Sequence, residues 1–275
     1  MKLSHFLTPL LAIGAAAIPS RPRGKPAYFV LAGDSTTAPD GGWGDGFLST
    51  ALREPASGVN LGHSGATTVS FRDGGDWAAV VDQVKNHTKT HEVFVTIKVS
   101  SPSQQRNIVS NDQPTDRPTN LSSKFGHNDQ KPAKNISLPA FTTNLRVFAQ
   151  EILSLHATPI LISSLTRRSF TGTPPRVVEN LAAERNATLA VAASLKGSRS
   201  IDLNRASTDY VNAIGPEASW GYNYLPDDRT HLNEWGSVVF GRLVSDLLVE
   251  KYRDIAVWTR ANETLSRALR EGVPA

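Results

Sequence analysis

The sequence predicts a single α/β domain in which helices cover both faces of a five-stranded parallel sheet. Short apolar runs alternate along the chain with longer stretches that have a helical spacing of apolar side chains. This alternation is typical of a three-layer α/β/α sandwich, and no internal repeat or composition break divides the 275 residues into two domains. The predicted strands are 28–32, 58–61, 93–98, 158–163 and 200–203, and the predicted helices are 76–86, 139–156, 176–196 and 233–250.

The two ends of the chain lie outside this pattern. Residues 1–17 have a basic start, are otherwise almost entirely apolar and end in three alanines, which is typical of a secretory signal peptide. A buried N-terminal helix is the alternative. Residues 18–26, rich in Pro and basic side chains, are expected to form a linker, and residues 251–275 are expected to form a charged peripheral helix with Leu265 and Leu269 on one face.

Five Asn-x-Ser/Thr sequons agree with export from the cell as a glycoprotein. Together with the predicted signal peptide they indicate an extracellular protein. The candidate glycosylation sites are Asn86, Asn120, Asn135, Asn186 and Asn262.

Composition and charge exclude several classes of function. The chain contains no cysteine, which rules out a cysteine nucleophile and a thiolate metal site, while a domain of this size can bury a sufficient core without disulfides. The net charge of +4 falls to +3 if Lys2 is removed with the signal, and this balance tolerates a polyanionic substrate. No basic run of the kind that binds nucleic acid is present. We expect no cofactor, no metal, no nucleic-acid or membrane partner, and a monomer.

Residues 28–37 predict a reactive serine at the carboxyl end of the first strand. The apolar run ends in a Gly-Asp turn, and Ser35 follows it at the edge of the sheet where ligands bind in open α/β folds. Backbone N–H groups near a helix N-terminus can stabilise an oxyanion there. The alternative is that Ser35 only caps a helix.

A serine hydroxyl needs a base to act as a nucleophile, and a candidate lies near the other end of the chain. His231 comes three residues after Asp228, so one short Pro-led loop can carry both the base and the carboxylate that orients it. Asp227 is a possible alternative orienter. The alternatives are that His231 caps a helix or lies on the surface, and that Asp228 is only a turn residue.

Four blocks in this order resemble those of the SGNH (GDSL-type) esterase superfamily. They are Gly33-Asp34-Ser35, Asn60 to Gly65, Gly126-His127-Asn128-Asp129, and Asp228 to His231. Thr36, the motif Gly42-Trp43-Gly44 and the run from Phe125 to Lys131 are most similar to the rhamnogalacturonan acetylesterase branch. The resemblance covers residues 28–250 and implies a flavodoxin-like strand order within a hydrolase domain spanning 27–250.

The same resemblance implies roles for individual residues. Ser35 would be the nucleophile, His231 the general base and then acid, and Asp228 the group that orients the imidazole. The oxyanion hole would consist of the Ser35 and Gly65 N–H groups and the Asn128 amide. Trp43 is a candidate sugar-stacking platform and Arg72 a candidate contact for a uronate carboxylate; a core tryptophan and a surface salt bridge are the alternatives.

Residues 99–124 depart from the family pattern. In the family, the strand equivalent to 93–98 runs almost directly into the Gly-His-Asn-Asp block, whereas here a stretch rich in Ser, Pro, Asn and Thr intervenes. This composition predicts a disordered insertion. Joining Lys98 to Phe125 restores the expected block, so our hypothesis is a translated, unspliced intron. A genuine loop that acts as a lid is the alternative.

The sequence therefore predicts a secreted carboxylic ester hydrolase that removes O-acetyl groups from a pectic polysaccharide, most similar to rhamnogalacturonan acetylesterases. A lipase or lysophospholipase with the same triad is one alternative, because a fold and a triad do not determine the acyl group. A catalytically inactive glycan-binding protein is the other, if residues 99–124 displace Asn128.

Overall fold

A computed structural model of the protein describes residues 24–98 and 136–275. The predictions for the signal peptide 1–17, for most of the linker 18–26 and for the insertion 99–124 lie outside the described residues. The strands are β1 (Ala27–Gly33), β2 (Ser57–Asn60), β3 (Glu92–Lys98), β4 (Thr158–Ile162), β5 (Phe170–Thr171), β6 (Arg176–Val177) and β7 (Arg199–Ile201).

Nine α-helical segments are found in the described part of the chain, and one π-helical turn at Phe47–Ala51 continues from the first of them. The helices are α1 (Gly44–Gly46), α2 (Thr68–Asp73), α3 (Asp76–His87), α4 (Leu138–Ser154), α5 (Ala182–Ser194), α6 (Leu203–Trp220), α7 (Glu234–Lys251), α8 (Arg253–Ala256) and α9 (Glu263–Glu271).

Five of the strands form one parallel sheet in the order β2-β1-β3-β4-β7, and β5 and β6 form a separate antiparallel hairpin. The predicted α/β/α sandwich with a five-stranded parallel sheet and a flavodoxin-like strand order is confirmed. In this order the chain reverses direction across the sheet between β1 and β3, and the crevice at their carboxyl ends is where such folds bind ligands.

Two apolar cores lie on opposite faces of the sheet because successive strand residues point to opposite sides. In β1, Phe29 and Leu31 pack in the core that contains α6, α7 and the π-helical turn. Val30 and Ala32 pack in the other core, formed with α3, α4 and α5. All four side chains are buried, which explains why the strand reads as a continuous apolar run.

The structure differs from the prediction in several elements, of which the longer helices are the most informative. Helix α6 was not predicted because Gly215, with a φ of 77°, and Pro216 interrupt its helical pattern. The predicted helix 176–196 begins only at Ala182, since residues 176–177 form the second strand of a hairpin whose connection contains two prolines. The predicted C-terminal helix is divided into α8 and α9, and Leu265 and Leu269 of α9 are both buried.

Helices α1 and α7 approach each other at the level of their backbones. A Cβ on Gly46 would lie 2.1 Å from the carbonyl oxygen of Ser237, and a Cβ on Gly241 would lie 2.4 Å from the backbone nitrogen of Phe47. No side chain other than hydrogen fits at either position without a shift of the backbone. Because α1 follows Ser35 closely in sequence and α7 follows His231, this contact brings together the two regions that carry the predicted site.

Within the described residues, every helix is too short or too polar to cross a lipid bilayer.

Candidate active site

The predicted nucleophile lies in a buried turn, residues 34–37, that we call the serine turn. The turn follows β1 directly, and the backbone oxygen of Asp34 accepts hydrogen bonds from the N–H groups of Thr37 (2.9 Å) and Ala38 (3.0 Å). Ser35 is only 2% exposed. The turn therefore holds the serine in a defined position at the carboxyl edge of the sheet.

A buried ion pair lies next to Ser35. The Nζ of Lys98, the last residue of β3, is 2.8 and 3.0 Å from the two carboxylate oxygens of Asp34, and both side chains are fully buried. Thr36 donates to the same carboxylate through its N–H (2.9 Å) and its hydroxyl (3.0 Å). Lys98 also hydrogen-bonds the Thr36 hydroxyl. Burial raises the pKa of Asp34, but the charge of Lys98 and these hydrogen bonds outweigh it, so the pKa lies below its ordinary value.

The predicted base and its orienting carboxylate lie in residues 225–232, which we call the histidine loop. One carboxylate oxygen of Asp228 accepts from the N–H groups of Thr230 and His231, both at 2.9 Å. The other is 2.7 Å from Nδ1 of His231. Burial raises the pKa of Asp228, but the hydrogen bonds from His231 and Thr230 outweigh it, and its pKa is lowered. Asp228 is thus an anion, and it occupies the position for which Asp227 was the alternative.

The serine turn and the histidine loop meet through one hydrogen bond. The Nε2 of His231 is 2.9 Å from Oγ of Ser35, across 196 residues of sequence. Because the Asp228 carboxylate can only accept, Nδ1 of His231 carries the hydrogen and Nε2 is left to accept the Ser35 hydroxyl proton. The structure therefore brings together all three residues that the sequence analysis selected as a triad.

Arg168 holds the histidine loop in place through hydrogen bonds. It was not predicted as a site residue. Its fully buried guanidinium donates to the backbone oxygen of His231 (2.5 Å), more weakly to that of Thr230 (3.4 Å), and to the side-chain oxygen of Asn223 (2.7 Å). Burial lowers the pKa of Arg168 to about 10, so it stays charged at neutral pH. A pair of arginines soon after the apolar strand β4, at the same sheet edge as Ser35, is the signal that would have pointed to it.

Two backbone N–H groups of the predicted oxyanion hole are available. In the part of the chain that the structure describes, neither Ser35 N–H nor Gly65 N–H donates a hydrogen bond. Gly65 has a φ of 87°, a conformation that glycine adopts without strain. The third predicted donor, Asn128, lies outside the described residues, together with His127.

Asn60 connects the Gly65 segment to the serine turn. Its amide nitrogen donates to the backbone oxygen of Thr37 (2.9 Å) and to the Asp45 carboxylate (2.7 Å), while its oxygen accepts from the N–H of Gly62 (3.0 Å). The block that begins at Asn60 thus has a structural role that its sequence alone does not reveal.

The structure shows the surroundings of the two candidate substrate contacts. Trp43 is fully buried and packs edge-on against Phe47 in the core, so its ring cannot stack on a sugar. Arg72 is paired with Glu151 at 2.9 Å and lies 4.8 Å from the centre of the Phe148 ring, so its charge is already compensated within the protein. In both cases the alternative stated above, a core tryptophan and a surface salt bridge, describes the residue.

His63, within the block from Asn60 to Gly65, has a local role, and the glycosylation sites stay predictions. His63 bonds Asp76 through Nδ1 at 2.7 Å on the exposed surface. The side chains of Asn86, Asn186 and Asn262 are exposed, whereas Asn120 and Asn135 lie outside the described residues. In the described ranges, no group of three or more His, Asp or Glu side chains is arranged to hold a metal ion.

Comparisons with known proteins identify relatives in sequence and in structure. No protein-family model matches the chain. It is 28% identical over 246 residues to a rhamnogalacturonan acetylesterase of Bacillus subtilis (strain 168), covering 82% of this chain and 91% of the relative. An acetylxylan esterase of Geobacillus stearothermophilus superposes with a TM-score of 0.52 at 16% identity, covering 87% of this chain and 98% of that one.

This chain has the SGNH hydrolase fold. A protein of Slackia heliotrinireducens proposed to be an SGNH hydrolase superposes with a TM-score of 0.51 at 12% identity, over 81% of this chain and 99% of that one. A longer Bacillus subtilis protein gives a TM-score of 0.63 at 21% identity; 85% of this chain matches 58% of that protein. The predicted resemblance to SGNH hydrolases and to rhamnogalacturonan acetylesterases is confirmed, and the names of these relatives support the prediction of a carboxylic ester hydrolase.

We expect removal of the Lys98 charge to change how the stability of the protein depends on pH. Lys98→Met leaves a buried carboxylate unpaired, so we expect a loss of about 3–5 kcal/mol in the free energy of unfolding at neutral pH. In the unsubstituted protein the folded pKa of Asp34 is depressed, so its contribution is present above the ordinary aspartate pKa of about 4 and is lost as pH falls through the folded value. In Lys98→Met the same carboxylate would be protonated more readily, and the variant should gain relative stability in acid.

Denaturant unfolding at neutral and acidic pH measures this difference. The double variant Asp34→Asn/Lys98→Met serves as the control, because it removes both charges and should recover part of the loss. If the difference in the free energy of unfolding between the unsubstituted protein and Lys98→Met were the same at every pH, the assignment of the charge pair would be contradicted.

We expect substitution of Arg168 to lower turnover more than it weakens substrate binding. Arg168→Met removes the donors that hold the backbone of the histidine loop, and a displacement of the base by about 1 Å lowers turnover by about 100-fold. We expect kcat for a small acetate ester to fall accordingly while KM changes little, with partial recovery in Arg168→Lys, which keeps the charge without the planar fork. Arg146→Met, at the surface, is the control. If kcat stays unchanged in a folded but less stable Arg168→Met, Arg168 only supports the fold.

Proposed function

We propose that the protein is a secreted serine esterase that removes O-acetyl groups from pectic rhamnogalacturonan. The observation that carries the catalytic part is the continuous hydrogen-bonded chain from Asp228 through His231 to Ser35, with distances of 2.7 and 2.9 Å. The rhamnogalacturonan acetylesterase from Bacillus subtilis, which aligns with most of both chains, supports the substrate class. The predicted signal peptide and the exposed sequons support secretion.

In the proposed first step, the Ser35 hydroxyl attacks the acetyl carbonyl carbon and Nε2 of His231 takes its proton. Two interactions favour this transfer: the anion of Asp228 stabilises the imidazolium, and the same carboxylate keeps the ring in the tautomer that accepts at Nε2. The Ser35 and Gly65 N–H groups, which have no other partner in the described ranges, would stabilise the oxyanion together with the Asn128 amide.

In the second step, the imidazolium of His231 gives its proton to the sugar oxygen as the carbon–oxygen bond breaks. The acetyl group is then an ester on Ser35. A water molecule attacks this ester with His231 again as the base, and acetate leaves as the Ser35 hydroxyl is restored. The three residues return to their starting protonation states, so the cycle needs no cofactor to balance it.

Residues 99–124 lie outside the described ranges, and their role is a proposal. We propose that they do not belong to the catalytic domain and that the join of Lys98 to Phe125 is the functional sequence. Both versions of the chain, without residues 1–17, are therefore needed in any activity measurement.

Substitution of Ser35 tests the proposed activity. With acetylated rhamnogalacturonan as substrate, we expect release of acetate by the version that lacks residues 99–124, and a fall of at least about 10⁴-fold in kcat for Ser35→Ala. Ser154→Ala, which removes an exposed hydroxyl at the end of α4, should keep full activity. Circular dichroism and denaturant unfolding check that both variants fold.

Three results would contradict parts of the proposal. Activity retained in Ser35→Ala would overturn the nucleophile. Faster turnover of long-chain esters than of acetylated polysaccharide would favour a lipase. Binding of pectin fragments without release of acetate by either version of the chain would favour an inactive glycan-binding protein.

A further inference from the structure

We propose that Arg229 forms a subsite for the carboxylate of an acidic sugar next to the reacting ester. The inference rests on the proposed function and specifies how that site would select its substrate. Arg229 lies in the histidine loop, directly after Asp228 and two residues before His231. A sugar whose ester reaches Ser35 must therefore pass close to this loop.

The guanidinium of Arg229 is held in place by uncharged groups. Its central carbon lies 4.1 Å from the centre of the Trp220 ring, and one terminal nitrogen donates to the backbone oxygen of Pro226 at 2.8 Å. Trp220 is in turn anchored, because its indole N–H donates to the backbone oxygen of Arg168 at 3.0 Å. The cation thus lies on a fixed aromatic face.

No carboxylate in the described ranges pairs with Arg229. The adjacent Asp228 is occupied by His231 and by two backbone N–H groups. Six other arginines do have acidic partners, including Arg72, the residue for which the sequence suggested a uronate contact. Arg229 is therefore a cation in the histidine loop with which no acidic side chain of the described ranges forms an ion pair.

A guanidinium held over an aromatic ring suits an external carboxylate. One terminal nitrogen of Arg229 bonds to Pro226, and the other N–H donors of the fork can bind the two oxygens of a carboxylate together. Arg229 is half-buried, so the charge is held in a preferred geometry and remains reachable. Pre-organisation of this kind reduces the entropy lost on binding.

Two exposed aromatic residues near Arg229 in sequence offer a surface for the sugar ring itself. Tyr224 is 49% exposed and its N–H donates to the backbone oxygen of His231 at 2.9 Å, which places its backbone beside that of the proposed base. Trp220 is 40% exposed. Aromatic faces next to a cation match a pyranose ring that carries a carboxylate.

This subsite distinguishes two classes of acetylated polysaccharide. Rhamnogalacturonan carries a uronate carboxylate on every second backbone sugar, whereas the xylan backbone is neutral. The geometry therefore favours the acidic polymer, and the charge on Arg229, with stacking on Tyr224, would contribute separately to the preference.

The test compares an acidic substrate with its uncharged counterpart and with a small ester. We would measure kcat/KM for acetylated rhamnogalacturonan oligomers, for the same oligomers with their carboxyl groups reduced to alcohols, and for an aryl acetate. For Arg229→Gln we expect the ratio of acidic to carboxyl-reduced substrate to fall by about 3- to 30-fold, as for loss of a partly exposed charge-assisted contact. The preference of the unsubstituted protein should also weaken at high salt.

Two controls separate charge from other effects. Arg205→Gln removes the same charge from an exposed surface pair with Asp209 and should leave the ratio unchanged. Tyr224→Ala should lower kcat/KM for both oligomers equally, because stacking does not depend on the carboxylate.

The failure of this inference is distinguishable from failure of the proposed function. If the unsubstituted protein prefers acidic oligomers and Arg229→Gln keeps that preference, the subsite is overturned and the function stands. If the unsubstituted protein deacetylates reduced oligomers and acetylxylan as well as the acidic ones, both the subsite and the pectic substrate are overturned. If no polysaccharide is deacetylated, the proposed function falls first.

Discussion

The buried pairing of Asp34 with Lys98 is the interaction on which the geometry of the serine turn depends. It joins the first residue after β1 to the last residue of β3, where the sheet order reverses. Burial of two charges is costly, and a buried ion pair seldom stabilises a fold more than well-packed apolar side chains would. Here the pair orients the serine turn instead. Four hydrogen bonds converge on the Asp34 carboxylate, so the turn that presents Ser35 has one arrangement.

The histidine loop is positioned by a second buried charge of the same kind. Arg168 donates to backbone oxygens of the loop, and the Asp228 carboxylate accepts from its N–H groups, so both edges of the loop are satisfied. The two halves of the site then meet because α1 and α7 pack through glycines, with Leu232 N–H also donating to the backbone oxygen of Gly41 at 2.8 Å. Hydrogen bonds within each half define its geometry, and the contact between the helices brings the two halves together.

The sequence was most informative about features that depend on residues close together in the chain. Apolar runs identified all five strands of the main sheet, and the spacing of Asp228 and His231 identified a base with its carboxylate, because these signals are local. Helix α6 was missed because Gly215 and Pro216 break the local pattern, while the part before this break packs its apolar side chains in the core that contains α7.

Residues whose partners are distant in sequence could not be recognised in the same way. Arg168 and Lys98 are charged side chains that would ordinarily be expected at the surface, and only the meeting of β1, β3 and the segment after β4 shows why they are buried. Trp43 illustrates the reverse error: its position beside the serine suggested a sugar contact, but the close packing of α1 turns its ring into the core.

Covalent labelling with a fluorophosphonate tests most directly whether Ser35 is the activated nucleophile. Peptide mapping by mass spectrometry would then locate the adduct. The account predicts one equivalent of label on Ser35, with labelling abolished in His231→Ala and loss of acetate release in proportion to the label. A label on another serine, or full inactivation without modification of Ser35, would contradict the proposed triad.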